Sequence, residues 1–313
     1  MPSTRRENSI LEKLWRVTLL SVVIAALNSE NTISQTLSSL YSNNLSSREF
    51  EVVVVDNGST DRTVEVAKRY PVKIFSCAKR GQGAARNMGI AEARGELVCF
   101  TDSDIVVPEN WLERILEFFN RFPHADGVGG PVLAPASGHL NSLQKLEGET
   151  YSQIHNFPKK VSMAEYGNHI TSLRSANCAY RKSILLSIDG FDDSGLDAVD
   201  TDLCWRLILQ GKFLIFNPEI AVLHLGVPWN IKGIFKQQFR WGMSRAILNM
   251  RYPTARLVAP SMKGKIYQYF YFVILFSHMI FRKNRRRNIL ELFEKSAFML
   301  GCINAYLKSY LRF

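Results

Sequence analysis

The sequence predicts an α/β fold, a mixed sheet flanked by helices. Aliphatic and β-branched residues fill short runs at 17–28, 52–55 and 97–100, and each run ends in polar residues. Between the first two runs, apolar residues such as Ile33 and Leu37 recur at helical spacing. Buried strands that alternate with helical segments are typical of parallel β-α-β units.

Composition narrows the functional classes. With 313 residues, of which 46% are hydrophobic, the chain can bury a large core. A net charge of +11 indicates an anionic partner, either a phosphate-bearing substrate or an acidic membrane surface. Nucleic acid is not expected, because the sequence has neither zinc-ligand spacing nor an aromatic RNA-binding signature. The five cysteines are scattered without a C-x-x-C pair and are predicted to be reduced thiols of a cytosolic protein.

The first apolar run, 17–28, is predicted to be a buried strand. Because Arg5 and Arg6 precede it, a secretory signal is the alternative. The strand is favoured because the β-branched run at 52–55 also ends in polar residues, as expected for strands of a parallel sheet built from β-α-β units. A helix is predicted to follow over 30–41.

Asp56 ends the second strand, 52–55, and Gly58 begins a turn. Open α/β sheets bind ligands at the carboxyl ends of their strands, so Asp56 is a candidate ligand-binding residue. Helix capping explains this carboxylate equally well. Ser59 or Thr60 is expected to cap the next helix.

A third strand is predicted over 72–76. The glycine-rich stretch that follows it contains Gly81 and Gly83 and leads into a helix whose N-terminal amides can face a phosphate. Arg86 would add a fixed cation there. A plain turn with a solvated arginine is the alternative.

The stretch 97–104, LVCFTDSD, reads as a buried strand with two carboxylates at its tip. Asp102 and Asp104 stand at i and i+2, so on a strand they share a face and can converge on one cation. Carboxylates suit hard divalent ions such as Mg²⁺ or Mn²⁺. The alternative is a polar loop that caps a helix over 109–119.

The second half offers fewer patterns. Residues 137–172 show no clear periodicity and are expected to face the acceptor. Asp200 and Asp202 begin a helix, where two carboxylates are also explained by the helix dipole. His224 ends an apolar strand predicted over 220–224, and it is either a metal ligand or a core histidine.

Two features stand nearer the C-terminus. Gln237 and Arg240 share a helix face on which they can meet a diphosphate or sugar, and Trp241 can stack on a sugar ring; an amphipathic surface helix is the alternative.

Residues 266–281 carry no Asp, Glu, Lys or Arg but are too few to span a bilayer as a helix. A position in the plane of an anionic membrane surface, with the arginines at 285–287 on head groups, is predicted; a buried core helix is the alternative.

Four of these motifs, in this order, resemble the nucleotide-sugar half of the family 2 glycosyltransferases, which have the GT-A fold: SVVIAALN, VVVVDNGSTD, GQGAARNMGIAEARGE and FTDSDIVVPENWLE. The likeness covers 17–225 and implies a nucleotide-sugar half, 17–104, and an acceptor half, 105–225. Residues 1–16 would then be an N-terminal extension, and 226–313 a helical, membrane-associated region.

The resemblance also implies roles for single residues. Asp56 would contact the nucleotide base, Asp102 the ribose or the metal, and Asp104 the divalent metal that bridges the diphosphate, with His224 completing the metal site. The donor would be a nucleotide sugar, most simply a UDP-sugar. Asn57 stands where many members have a second aspartate and would keep an amide acceptor for the base.

In the acceptor half, Asp200 matches the family's catalytic base and Asp202 its supporting carboxylate, whereas Val199 replaces the usual acidic residue. Three further residues match the Q-x-x-R-W pattern of polysaccharide synthases in the same family: Gln237, Arg240 and Trp241.

The expected function is that of an inverting glycosyltransferase at the cytoplasmic face of the cell membrane. It would move a sugar from a nucleotide sugar to a glycan or lipid-linked acceptor in cell-surface polysaccharide biosynthesis. The alternatives are a subunit of a processive polysaccharide synthase and a catalytically silent membrane-binding module.

Overall fold

A computed structural model of the chain describes six stretches: 20–45, 49–133, 160–163, 172–225, 231–253 and 285–310. The N-terminal extension 1–16, most of the acceptor-facing stretch 137–172 and the uncharged segment 266–281 lie outside the described residues.

Strands and helices alternate through the first half, as predicted. The strands are β1 Leu20–Ala26, β2 Phe50–Asp56, β3 Lys73–Ser76, β4 Leu97–Asp102, β5 Ile105–Val106, β6 Gly127–Gly129, β7 Val132–Leu133, β8 Ser162–Met163, β9 Asn177–Arg181, β10 Leu214–Phe216 and β11 Val222–His224. The helices are α1 Ile33–Tyr41, α2 Thr63–Ala67, α3 Gln82–Glu92, α4 Trp111–Arg121, α5 Lys182–Leu186, α6 Val199–Leu209, α7 Ile231–Arg251 and α8 Arg285–Tyr310.

The described strands form two sheets. The larger has the order β3-β2-β1-β4-β9-β6-β10-β8, and the smaller the order β5-β11-β7. Strands β3, β2, β1 and β4 run parallel, whereas β9 is antiparallel to both β4 and β6. The mixed α/β sheet predicted from the sequence is therefore confirmed.

Side chains of the central strands alternate between two cores. Val23, Val53 and Phe100 face one core, which α3 and α6 cover, while Val22 and Ile24 face the other, beneath α1 and α4. This burial on both faces explains why the strands read as continuous apolar runs. All five cysteines are free thiols, and four of them are buried, as predicted.

Element ends differ from the sequence prediction where local polar contacts decide them. Helix α2 begins at Thr63, and neither Ser59 nor Thr60 caps it; the Asp61 carboxylate accepts from the Thr63 amide at 3.0 Å. Ile220 lies in a 3₁₀ turn instead of a strand, because Pro218 starts that turn and Asn217 Oδ1 accepts from the Glu219 amide at 3.0 Å.

Helices α7 and α8 pack closely on each other at two glycines. A Cβ at Gly242 would lie 1.9 Å from the Phe298 carbonyl oxygen, and one at Gly301 would lie 1.9 Å from the Phe239 carbonyl oxygen. Only glycine fits at this crossing. Within the described ranges, no helix is both long and apolar enough to span a bilayer.

Candidate active site

Two of the predicted carboxylates flank the carboxyl end of β1. In the register of the parallel strands, Asp56 of β2 pairs with Ala26 and Asp102 of β4 pairs with Ala25. Because neighbouring strands lie about 4.8 Å apart, the two aspartates begin roughly 10 Å from each other across β1. The sheet therefore brings together the two acidic residues that the sequence places 46 positions apart.

Asp56 organises the turn that follows its strand. Its carboxylate accepts from the backbone amides of Gly58 and Ser59 at 3.2 Å. Gly58 has a φ of +87°, a backbone angle that residues other than glycine rarely adopt. The exposed Arg80 lies over this turn, with its guanidinium carbon 3.1 Å from where a Cβ on Gly58 would be. Arg80 was not identified from the sequence, and its positive charge lies over the turn that follows Asp56.

The Asn57 side chain has hydrogen-bond partners within the protein. Its Oδ1 accepts from the Gly81 amide at 2.8 Å, and its Nδ2 donates to the carbonyls of Lys79 at 2.8 Å and Cys77 at 3.3 Å. The side chain is buried, so both ends of the amide are used within the protein. Asn57 therefore ties the turn after β2 to the loop after β3, and its predicted contact with a nucleotide base stays a prediction.

Arg86 is fixed, as predicted, but it is only 2% exposed. Its Nη2 donates to Asp102 Oδ1 at 2.9 Å, its Nη1 donates to Gln82 Oε1 at 3.3 Å, and Phe191 covers its guanidinium at 5.6 Å from the ring centroid. The solvated arginine of the alternative is therefore wrong. With these contacts, Arg86 on α3 orients the Asp102 carboxylate.

Asp104 does not continue the strand face of Asp102, because β4 ends at Asp102 and Asp104 lies in the following turn. Pairing of β5 with β11 aligns Ile105 with His224, which brings His224 Nε2 to 3.3 Å from Asp104 Oδ2. Two of the three predicted metal ligands thus meet. In the stretches that the structure describes, no group of three or more His, Cys, Asp or Glu residues is assembled for a metal ion.

The tip of β4 has the electrostatics of a cation site. Burial raises the pKa of Asp104, and the nearby Asp102 carboxylate raises it further, while His224 opposes the shift. A half-buried carboxylate that is costly to ionise alone favours a bound cation. Ser103, between the two aspartates, is held to Ser29 by a 2.7 Å hydroxyl contact.

Asp200 lies in the first turn of α6 and is half-buried. Its Oδ1 accepts from the Thr201 amide at 2.7 Å, but the N-cap of α6 is Ala198 and no side chain caps this helix. Burial lowers the pKa of Arg174, and the negative charge of Asp200 opposes this shift, so the Arg174 guanidinium lies near Asp200. The helices that carry Arg86 and Asp200, α3 and α6, cover the same core, so the two predicted residues lie on the same side of the sheet.

Asp202 is a structural anchor. It is completely buried, its Oδ2 accepts from Arg206 Nε at 2.8 Å, and its Oδ1 accepts from the Tyr252 hydroxyl at 2.8 Å and from Arg251 at 3.1 Å. A carboxylate with these partners is not available to an acceptor. The predicted division of labour, in which Asp202 supports and Asp200 reacts, agrees with this arrangement.

The Q-x-x-R-W residues all lie on α7, so the predicted helix is confirmed. Arg240 makes an ion pair with Asp197, Gln237 is partly exposed, and Trp241 is 38% exposed. No sequence pattern indicates Asp197, because its ion-pair partner, Arg240, lies 43 residues away.

A mixed sheet with acidic residues at the carboxyl ends of two parallel strands, one on each side of β1, places the chain among α/β proteins that bind ligands at that edge. Within that class the family is defined by sequence. The model of glycosyl transferase family 2 matches residues 21–188, more than half of the chain, and this protein belongs to that family.

Curated relatives carry varied names. The chain is 28% identical over 245 residues to a poly-beta-1,6-N-acetyl-D-glucosamine synthase of Staphylococcus epidermidis, covering 76% of this chain and 57% of that protein. It is 29% identical over 252 residues to the pre-mycofactocin glycosyltransferase of Mycobacterium tuberculosis, covering 76% and 50%. The chain thus spans about half the length of these relatives.

Solved structures share the fold. A mannosyltransferase of Pyrobaculum calidifontis, in complex with GDP-Man and Mn²⁺, matches with a TM-score of 0.64 at 16% identity over 92% of this chain and 86% of that one. Staphylococcus aureus TarS in complex with UDP-GlcNAc matches with a TM-score of 0.53 at 18% identity, covering 94% and 91%. The expected GT-A fold is confirmed.

Proposed function

We propose that this family 2 member is an inverting glycosyltransferase that moves a sugar from a nucleotide-sugar donor to a hydroxyl of a glycan or lipid-linked acceptor. One observation carries the proposal: Asp56 and Asp102 lie at the carboxyl ends of parallel strands, Asp104 follows in the turn after β4, and the half-buried Asp200 lies on a helix that covers the same face of the sheet as α3, which carries the Asp102 partner Arg86. One acidic cluster serves the donor, and a separate carboxylate serves the acceptor.

The chemistry of the protein's own residues is a proton transfer joined to a displacement. Asp200 accepts the proton of the acceptor hydroxyl, and that oxygen attacks the anomeric carbon as the bond to the nucleoside diphosphate breaks. Attack from the side opposite the leaving group inverts that carbon. Asp202 does not compete for the proton, because its oxygens are hydrogen-bonded to Arg206, Tyr252 and Arg251.

The donor set at the tip of β4 fits a divalent metal. Asp104 and His224 would hold it, with Asp102 beside them, and Mg²⁺ or Mn²⁺ sites of one or two protein ligands are commonly completed by substrate phosphates. Bound there, the ion supplies positive charge that stabilises the departing diphosphate. Asp104→Ala should abolish the metal dependence of donor binding, while Asp61→Ala, an acidic residue of a neighbouring turn, should leave it intact.

For the donor we propose a UDP-sugar, with UDP-GlcNAc as the first candidate. The names of two relatives support N-acetylglucosamine: the synthase from S. epidermidis and a TarS protein of S. aureus, a poly(ribitol-phosphate) beta-N-acetylglucosaminyltransferase 35% identical over 112 residues. The test is a hydrolysis and binding screen of UDP-, GDP- and dTDP-sugars with Mg²⁺ or Mn²⁺. Failure to bind any of them would refute the enzyme proposal.

A polymer acceptor is the second part of the proposal. Trp241 is exposed on α7 and offers an indole face of the kind that stacks on sugar rings. Trp241→Ala should raise the KM for acceptor oligosaccharides and leave donor affinity unchanged. Product length, measured by mass spectrometry, separates a processive synthase subunit, which extends one chain, from an enzyme that adds a single sugar.

We further propose that the C-terminal region lies on the anionic cytoplasmic face of the cell membrane. On α8, three large apolar side chains, Leu300, Ile303 and Leu307, are each 47% or more exposed and recur at one-turn spacing. The helix begins with Arg285, Arg286 and Arg287, suited to anionic head groups.

Vesicle flotation tests the membrane proposal. Changing Leu300, Ile303 and Leu307 together to serine should reduce binding to vesicles that contain phosphatidylglycerol, and raised salt should do the same. A matched control changes Leu186 and Leu209, which are equally exposed on the catalytic domain, to serine. Equal binding of both variants would count against α8 as the docking surface.

A further inference from the structure

One face of helix α7 carries polar side chains that contact residues 192–202, the segment that includes Asp200. Arg240, Ser244 and Arg251 stand at i, i+4 and i+11, which at 3.6 residues per turn places them within about 40° of one another around the helix. All three contact residues of the segment 192–202. This face of α7 therefore binds a single segment of the chain, residues 192–202.

Asp197 is bound by two residues of α7, Arg240 and Ser244. Arg240 Nε donates to Asp197 Oδ2 at 2.6 Å, and Arg240 Nη2 donates to Asp197 Oδ1, which makes the pair bidentate. Ser244 Oγ accepts from the Asp197 amide at 3.0 Å. Both the side chain and the backbone of Asp197 are thus fixed from α7, three residues before Asp200.

A second attachment lies on the far side of Asp200. Arg251 donates to Asp192 Oδ2 at 2.5 Å and to Asp202 Oδ1 at 3.1 Å. Ala198 caps α6 with its carbonyl, which accepts from the Asp202 amide at 3.0 Å. The first turn of α6 is therefore held from α7 both before and after Asp200.

We propose that Arg240 is a positioning residue for Asp200: through Asp197 it fixes the start of α6. The proposal rests on the proposed function only in taking Asp200 as the base. The physical reason is that two N–H groups of Arg240, on Nε and Nη2, both donate to the Asp197 carboxylate. A general base must lie within hydrogen-bond reach of its proton, so a looser start of α6 costs rate and not donor affinity.

Hydrogen–deuterium exchange tests the placement without any assumption about activity. Arg240→Gln and Asp197→Asn should each speed exchange of the amides at 196–199, and Lys236→Gln, an exposed cation on the same helix, should not. Unchanged exchange in Arg240→Gln would overturn the proposal.

Kinetics then distinguish positioning from donor binding. Arg240→Gln and Asp197→Asn should each lower kcat about tenfold with an unchanged dissociation constant for the donor, and the double variant should be no slower than either single one. Arg240→Lys should recover part of the rate, because lysine keeps the charge but not the bidentate pair. Weaker donor binding in Arg240→Gln, with normal kcat in Asp197→Asn, would overturn the proposal. Lack of transfer by the wild-type protein would instead overturn the proposed function and leave the exchange result to decide the placement.

Discussion

The donor and acceptor sides of the candidate site are built in different ways. On the donor side, the position of Asp56 follows from its strand, and its carboxylate accepts from the nearby amides of Gly58 and Ser59. On the acceptor side, Asp202 is held by Arg251 and Tyr252, which are 49 and 50 positions away. Asp56 is therefore positioned by local structure at the end of a parallel strand, whereas Asp202 is held by side chains that are distant in sequence.

This difference teaches where each side is vulnerable. A sheet edge keeps its geometry through backbone hydrogen bonds, so the Asp56 carboxylate can be changed with the scaffold intact, whereas removal of Asp102 would leave the buried Arg86 without this ion-pair partner. The start of α6 depends on charged side chains, and loss of one partner leaves another charge unpaired. We therefore expect donor-side variants to alter binding and acceptor-side variants to alter rate or stability.

The largest effect should come from Asp200→Asn, which keeps the shape of the side chain and removes its basicity. Transfer should fall by about 10² to 10⁴, the usual contribution of a positioned general base, with donor affinity unchanged. Steady-state transfer and calorimetric donor binding measure the two quantities. Near-normal turnover in Asp200→Asn would move the role of base to another residue.

Next in size should be the effect of Asp202→Asn on stability. Because Asp202 is fully buried while its arginine partners are partly exposed, we expect a loss of about 2 to 3 kcal/mol in the free energy of unfolding. Urea denaturation measures this loss. The control is Asp193→Asn, whose ion pair with Lys79 is exposed and should be worth under about 1 kcal/mol. Equal losses in both variants would show that Asp202 is not an anchor.

On the donor side, Asn57→Asp sharpens the comparison. One carboxylate oxygen would still accept from Gly81, but the other would face the carbonyls of Cys77 and Lys79, to which Asn57 now donates. We expect the free energy of unfolding to fall by about 1 to 3 kcal/mol, the cost of an unsatisfied buried polar group. Thermal unfolding tests this. Unchanged stability together with altered nucleotide preference would instead support the predicted contact with the base.

The smallest effect concerns Glu51, at the opposite end of β2 from Asp56. Burial favours its neutral form, but hydrogen bonds from Lys73, Ser21 and the Arg94 amide outweigh burial and lower the pKa of Glu51. A lowered pKa in the folded state means that the ionised group stabilises the protein at neutral pH and that this contribution disappears as the pH falls through the folded-state value. Glu51→Gln should cost about 1 kcal/mol at pH 7 and progressively less below about pH 4. A difference from wild type that does not vary with pH would contradict this account.

The sequence by itself determined the α/β class, the order of the first strands and the positions of Asp56, Asp102 and Asp200 at element ends. Those features follow from patterns of burial and from residues whose effect is local: a strand buried on both faces must be apolar throughout, and a carboxylate at its end must meet the edge of the sheet. The family motifs lie in the same local stretches.

Only the tertiary structure decided which partner each polar side chain has. It turned Asn57 toward two backbone carbonyls, placed Arg86 beneath Asp102, brought His224 to Asp104 through the pairing of β5 with β11, and joined Arg240 to Asp197. The sequence carries no periodic signal for such pairs, because the partners are separated by tens of residues and meet only when sheets and helices pack. Spacing predicts which face a side chain occupies, but packing decides what it touches there.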